Sequence, residues 1–254
     1  MSESDIMLNI TARQDLMRTI VDILTVLVDE ARLNFHEDRL EVRVVDPSHV
    51  AMIQMEVDSS AFEAWECDDV AIGIELVKLR DLIKLAAEGD SLIEMQYDDN
   101  DGRLNIQIGE IDRVIRPLDR QAMLEPRVPD IELKCKASLS GAKFSRALRA
   151  AKQVGDLVTF SLDGQQFSVS VSGDTDAVNV TYEAGELQEL VCDSPVKSQY
   201  SLQYLAPLAK RIESMVETVD LNFGENFPLK LEFEFANGAG RCIYFLAPRI
   251  EGDA

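Results

Sequence analysis

Gly141-Ala142-Lys143-Phe144-Ser145-Arg146-Ala147-Leu148-Arg149-Ala150-Ala151-Lys152 reads as a helix in a chain that is otherwise mostly strand. At about 100° per residue, Phe144, Ala147, Leu148 and Ala151 share one face. Lys143, Arg146, Arg149 and Lys152 take the opposite arc with no acid between them. Three further stretches share this rhythm, beginning near Ala12, Leu76 and Leu202, so the four starts are spaced by about 64, 65 and 61 residues. The first carries Arg13 and Arg18, the second Lys78, Arg80 and Lys84, and the last Lys210 and Arg211. Pro207 falls inside the last. A proline there removes a hydrogen bond and crowds the preceding turn at ~3 kcal/mol, so a short or kinked helix, or a different start, is expected.

Between the helices the pattern has period two. Leu40–Val44, Leu104–Ile108 and Phe167–Val171 alternate apolar and polar residues as half-buried strands do. Asp101-Gly102, Asp163-Gly164 and Asn237-Gly238 lie between alternating runs and predict type I′ hairpin turns with both central residues at positive φ. One helix followed by several strands, four times over, predicts two similar α+β domains of two helices each. The segment from Pro117 to Asp130 holds three prolines and has no period, as an extended connector does. The expected boundaries are 1–116, a connector over 117–130, and 131–254.

The chain has 254 residues, with 46 acids against 25 bases and a net charge of −21. An apolar content of 46 % excludes wholesale disorder. No apolar run reaches the ~18–20 residues of a membrane span, and the acidic start Met1-Ser2-Glu3-Ser4-Asp5 lacks the order of a signal peptide. A cytoplasmic protein is expected. The cysteines Cys67, Cys135, Cys192 and Cys242 are scattered and expected to be reduced. With two histidines, no metal site and no cofactor are expected. Phosphate loops, zincin motifs and nucleophile elbows are absent from the sequence. Asp98–Gly102 mimics a calcium loop, but its register puts Tyr97 and Ile108 where carboxylates are required. An enzyme is therefore the weaker class, and no catalytic residue is assigned.

Such acidity argues at first against a nucleic-acid partner. The distribution reverses that inference. The four helical regions (11–24, 75–85, 141–153 and 200–213) hold eleven bases and five acids, which leaves about −27 for the remainder. One basic surface on an acidic body is expected.

Several segments, in order, resemble the sliding clamps of the proliferating cell nuclear antigen family. Asp46-Pro47-Ser48-His49-Val50 is similar to that family's D-x-S-H-V, and Tyr244-Phe245-Leu246-Ala247-Pro248-Arg249-Ile250-Glu251 to its Y-Y-L-A-P-K-I-E. Ser140-Gly141, Phe144-Ser145-Arg146 and Gly155-Asp156 resemble its third-helix region, Leu202-Gln203-Tyr204-Leu205 its fourth, and Val128-Pro129-Asp130 its connector. Short loops and the lack of a long acidic tail favour an archaeal form. Pro207, Phe245 in place of a tyrosine, and connector prolines Pro117 and Pro126 depart from the pattern.

The resemblance implies the DNA-clamp fold in a ring-shaped trimer, a DNA polymerase processivity factor that encircles duplex DNA and needs a separate loader. Twelve helices would line the hole with about +18 of formal charge, suited to phosphates but not to reading bases. The DNA-facing residues would be Arg13, Arg18, Lys78, Arg80, Lys84, Lys143, Arg146, Arg149, Lys152, Lys210 and Arg211. Carried over by position, the partner-peptide groove would comprise Val45, His49, Val50, Val128, Pro129, Pro228, Phe245, Ala247 and Pro248. It would take PIP-box peptides of DNA polymerase, clamp loader, flap endonuclease and DNA ligase. Subunits would join along edge strands through Arg113, Val114, Ile115 and Arg116 on one side and Ala177, Val178, Val180 and Tyr182 on the other. The alternative is an acidic protein-interaction scaffold that uses the same groove without encircling DNA.

Overall fold

A computed structural model of the chain describes residues 6–85, 91–119, 123 and 125–250. The acidic N-terminal pentapeptide, connector residues 120–122 and 124, and Glu251 of the C-terminal motif lie outside the described residues.

The elements follow one order twice. The first series is β1 (Ile6–Arg13), α1 (Gln14–Leu24), β2 (Glu30–Phe35), β3 (Arg39–Val45), β4 (Ala51–Asp58), β5 (Ala64–Cys67), β6 (Val70–Glu75), α2 (Leu76–Leu85), β7 (Leu92–Asp98), β8 (Arg103–Ile108) and β9 (Ile111–Ile115). The second is β10 (Cys135–Leu139), α3 (Gly141–Lys152), β11 (Leu157–Leu162), β12 (Gln166–Ser172), β13 (Ala177–Glu183), β14 (Glu189–Val191), β15 (Val196–Ser201), α4 (Leu202–Ile212), β16 (Val219–Phe223), β17 (Leu229–Phe235) and β18 (Gly240–Leu246). The chain forms two compact units. The first comprises Met1–Val45, Ile53–Arg127 and Ala236–Arg241, and the second Asp46–Met52, Val128–Phe235 and Cys242–Ala254.

In the first unit the strand order β5-β1-β7-β8-β9 forms one sheet, and β4-β3-β2-β6 run side by side in another. The second unit repeats both orders, as β14-β10-β16-β17-β18 and β13-β12-β11-β15. The topology thus repeats from one unit to the next over two of the helix periods seen in the sequence, α1 at Gln14 recurring as α3 at Gly141.

Each unit buries its helical stripe. Phe144, Ala147, Leu148 and Ala151 of α3 are all inaccessible, and Phe144 meets Phe160 edge-on with ring centroids 6.4 Å apart. Phe160 also packs against Phe167, Tyr200 and Phe223, so strands from both sheets of the second unit converge on one ring. Burying a Phe or Leu side chain stabilises by roughly 1.5–3 kcal/mol. Ser140 caps α3, its Oγ accepting from Lys143 N at 3.2 Å. Gly141 is required because a Cβ there would lie 2.7 Å from the Val216 carbonyl oxygen, just beyond α4. In the first unit α1 packs on α2, and buried Gln14 Nε2 donates to the Ile83 carbonyl at 2.8 Å.

Three expectations need correction. The first helix does not begin near Ala12: Ala12 and Arg13 pair with Ile93 and Leu92 in the β1–β7 ladder, which holds them extended until Gln14. Arg13 is therefore the residue that precedes α1. Asp101-Gly102 is not a type I′ turn, because four residues separate the Asp98–Arg103 pair and only Gly102, at φ 62°, has positive φ. Its N–H instead donates to the Asp98 carbonyl at 3.0 Å, closing a wider turn. Asp163-Gly164 also lacks positive φ. The Asp163 carboxylate accepts from the N–H groups of Gln165 and Gln166, a side-chain closure that needs no left-handed residue. Asn237-Gly238 does turn with both residues at positive φ, 55° and 87°, preceded by Ala236 at 51°.

Pro207 lies within α4, and the helix runs through it. The proline cannot donate to the Gln203 carbonyl. One residue on, the Tyr204 carbonyl accepts from the buried Tyr244 hydroxyl at 3.1 Å, so the opened turn gains a donor from β18.

Candidate functional site: basic helix faces, open strand edges and an anchored turn

The basic residues lie on the outward sides of the four helices. Arg18, Lys78, Lys84, Arg146, Arg149, Lys152, Lys210 and Arg211 are exposed, as is Arg13 at the end of β1, and Lys143 and Arg80 are half-buried. Many are already paired. Arg13 meets Asp15 at 2.7 Å, Lys78 meets Glu75 at 2.6 Å, and Lys84 meets Asp81 at 3.1 Å. Arg149 bonds Glu213 at 3.0 Å, and Lys152 contacts Asp156. Lys143 Nζ donates to the Glu186 carbonyl at 2.8 Å and lies over the Tyr182 ring. Arg18, Arg146 and Lys210 have no ion-pair partner among the described residues. Exposed pairs of this kind are worth ~0–1 kcal/mol, so a passing anion can take over the cation at small cost.

Among the strands that end a sheet, β9 and β13 carry the expected interface residues. β9 is the last strand of its sheet and is laddered to β8 alone; β13 is the last of its sheet and is laddered to β12 alone. On β9, Arg113 and Ile115 lie opposite Ile106 and Leu104, on the core-facing side, while Val114 on the other face is 54 % exposed. On β13, Val178, Val180 and Tyr182 lie opposite the buried Val171, Val169 and Phe167. Tyr182 is buried, whereas Val178 and Val180 are half-exposed. Ala177 points with Asn179 and Thr181 to the other face. Arg116 is exposed just beyond β9; Asp176, just before β13, and Glu183, its last residue, are also exposed.

The Asp46–Val50 turn, which holds two of the residues expected in the groove, is built around one buried carboxylate. Asp46 is 4 % exposed. Its Oδ1 accepts from Val50 N at 2.7 Å and Ala51 N at 2.6 Å, and its Oδ2 accepts from Ser48 N at 2.9 Å and the Tyr204 hydroxyl at 3.1 Å. Burial raises the carboxyl pKa, but the amides of Ala51, Ser48 and Val50 and the Tyr204 hydroxyl outweigh it and hold the group below its ordinary value. The turn forces His49 to φ 56° and leaves its side chain exposed. Backbone bonds extend the cluster. Ala247 N donates to the Val50 carbonyl at 2.9 Å, and Arg249 N to the Gln199 carbonyl at 2.7 Å. From the other side of β15, the Tyr200 hydroxyl donates to the Phe227 carbonyl at 2.7 Å, fixing the loop that carries Pro228.

His49, Val50, Pro228, Ala247 and Pro248 are therefore tied, directly or through β15, into one region of the second unit. Val128 is half-buried and Pro129 exposed in the extended segment before β10; Val45 closes β3 in the first unit. Phe245 is only 5 % exposed, on the face of β18 opposite Tyr244. Sequence reasoning passed over Phe227, an aromatic 45 % exposed beside Pro228, and gave Asp46 and Tyr204 no role at the site. The signal for Phe227 was present: Gly224-Glu225-Asn226-Phe227-Pro228 is a breaker-rich loop with an unexplained aromatic.

Two topologically equal units, basic helix faces and open strand edges define a two-domain clamp architecture. Residues 7–118 match the family model "Proliferating cell nuclear antigen, N-terminal domain", and residues 127–249 match "Proliferating cell nuclear antigen, C-terminal domain". The chain belongs to the proliferating cell nuclear antigen family. It is 38 % identical over 240 residues to the DNA polymerase sliding clamp of Methanosarcina mazei, covering 94 % of this chain and 97 % of that one. It is 34 % identical over 250 residues to the DNA polymerase sliding clamp of Haloarcula marismortui, covering 97 % and 100 %. Among solved structures it resembles that of the C-terminal region of FEN-1 bound to A. fulgidus PCNA, with TM-score 0.90, 29 % identity, and 97 % and 100 % coverage. Among the described residues no helix is long and apolar enough to cross a membrane.

Proposed function

We propose that this chain is a DNA polymerase sliding clamp, a non-catalytic processivity factor that closes into a trimeric ring around duplex DNA and tethers enzymes through the Asp46-anchored region. The observation that carries the reading is that β9 and β13 each have a ladder on one side only. Pairing β9 of one copy with β13 of the next would cover both edges, and three copies would close the series. Arg113 and Arg116 on one edge complement Asp176 and Glu183 beside the other.

The eleven basic residues would then face phosphates, which position without specifying sequence. The acidic remainder would repel DNA from every other surface. Residues 117–130 would serve as the connector between domains 1–116 and 131–254, with Val128 and Pro129 joining His49, Val50, Pro228, Ala247 and Pro248 in the peptide groove. Phe245 would support its floor. The complex of the FEN-1 C-terminal region with the A. fulgidus relative supports a flap endonuclease as one partner, and polymerase, ligase and clamp loader would use the same groove.

Light scattering tests the ring: a mass near three times the 28.3 kDa chain is expected across a tenfold concentration range. Loading by a matched clamp loader onto nicked circular DNA should then give a complex that survives high salt and is lost on linearisation. A trimer that never becomes topologically linked to the circle would refute encirclement and leave the scaffold reading.

A further inference from the structure

Cys135 opens β10, and Cys192 directly follows the last residue of β14. The ladder between these strands pairs Ser138 with Glu189, Ala137 with Leu190 and Lys136 with Val191. One further step in the same register sets Cys135 opposite Cys192, and their sulfurs lie 3.2 Å apart. The other contacts of the pair are backbone carbonyls. Cys192 Sγ lies 2.9 Å from the Ser194 oxygen and 3.5 Å from that of Leu162, and Cys135 Sγ lies 3.8 Å from the Ser194 oxygen. Cys135 is 5 % exposed and Cys192 half-buried, so a reagent from solvent reaches Cys192 first. Cys242 is wholly buried, and Cys67 donates to the Asp68 carbonyl. β14 is three residues long and ends its sheet, so a bond at this point would pin a strand otherwise held by a very short ladder.

We infer that Cys135 and Cys192 are a reversible thiol–disulfide site whose oxidant is a small disulfide of the glutathione class. Cys192 loses its thiol proton to solvent, and the thiolate attacks one sulfur of the reagent. The reagent's S–S bond breaks, and its leaving thiolate takes up a proton. Cys135, deprotonated in turn, attacks Cys192 Sγ, breaks the mixed disulfide and releases the second small thiol. The protein dithiol loses two electrons and two protons, and the reagent is reduced to two thiols. The sulfurs close to the ~2.05 Å of a disulfide without a change of register. Burial, followed by the Cys135 neighbour, pushes the Cys192 thiol up to about 11. Exchange is therefore slow near neutrality and quickens roughly tenfold per pH unit below that value.

The full chain, incubated with excess oxidised glutathione at mildly alkaline pH, is denatured, alkylated, digested and examined by mass spectrometry. Cys135 and Cys192 should lose alkylation in step, one for one, and appear as a cross-linked peptide that dithiothreitol releases, while Cys242 stays fully alkylated. The oxidised chain should also show slower amide exchange at residues 189–191. Full alkylation of both thiols would overturn the inference, as would glutathione retained on Cys192 with Cys135 still alkylated. In a Cys135→Ser chain the glutathione adduct should persist on Cys192. Its absence there would overturn Cys192 as the entry thiol.

Discussion

Replacing Asp46 by Asn removes one charge and little volume, and four hydrogen bonds depend on that charge. The amide oxygen of Asn can still accept from Val50 N and Ala51 N, although hydrogen bonds to a neutral acceptor are roughly half as strong. The new NH2 group then faces the Ser48 N–H, a donor against a donor, and the Tyr204 hydroxyl must turn round. One charged hydrogen bond is worth ~1.5–3 kcal/mol, so losing one and weakening two costs about 3 kcal/mol. For a chain of this size that corresponds to a fall in Tm of roughly 6–12 °C. His49 is held at φ 56° by this turn, and its release should weaken a Q-x-x-[LIM]-x-x-[FY]-[FY] peptide at least tenfold, about 1.4 kcal/mol. The pH dependence has a definite sign. The folded pKa of Asp46 is depressed, so its stabilisation is complete above the ordinary value of 3.8 and is lost as pH falls through the lower folded value. The gap in Tm between wild type and variant should be full at neutral pH and close in acid. Differential scanning calorimetry and titration calorimetry read both effects. A variant that melts within ~2 °C of wild type at pH 7 and binds the peptide equally would refute the anchoring role.

Val180→Asp places a carboxylate in the half-exposed apolar row of β13 and would bury it unpaired against a neighbouring copy, at a cost of several kcal/mol. Light scattering should show monomers, and an unchanged assembly would exclude this edge from the interface. Pro207→Ala restores the donor for the Gln203 carbonyl inside α4 and should raise Tm, with up to ~3 kcal/mol available; no gain would mean that the helix has fully adapted to the proline. Changing Lys143, Arg146, Arg149 and Lys152 together to Ala should impair loading or sliding on circular DNA in a single-molecule assay while leaving peptide affinity intact. Normal loading and sliding would remove α3 from the DNA-facing surface.

Patterns within a single element were legible in the sequence, whereas arrangements that depend on pairing were not. The α3 stripe needed only a period of 3.6, and every residue assigned to its buried face is buried. Arg13 was placed on the first helix because it shares that helix's rhythm, but α1 begins without a side-chain cap and the β1–β7 ladder claims two more residues. The two Asp-Gly turns were found and their type was missed. Turn type follows from which residues pair, and an aspartate carboxylate can close a loop without positive φ. The Cys135–Cys192 juxtaposition was invisible because β14 is too short to show a period, and only the register brings the thiols together. Asp46 is legible only as part of a motif: its role lies in what a buried carboxylate accepts, and that depends on Tyr204, distant in sequence.

At least five of the eleven bases of the helical regions are already held by a carboxylate of their own chain. In the proposed ring, a phosphate moving past such a base replaces one anion with another of like charge, and the carboxylate returns when the phosphate leaves. Each step is an exchange between near-equal states, so the potential along the duplex stays shallow and drag comes mainly from solvent. A lining of unpaired cations would grip harder and travel more slowly. In that ring the internal ion pairs would act as a lubricant, keeping it mobile along DNA while its closure would prevent escape.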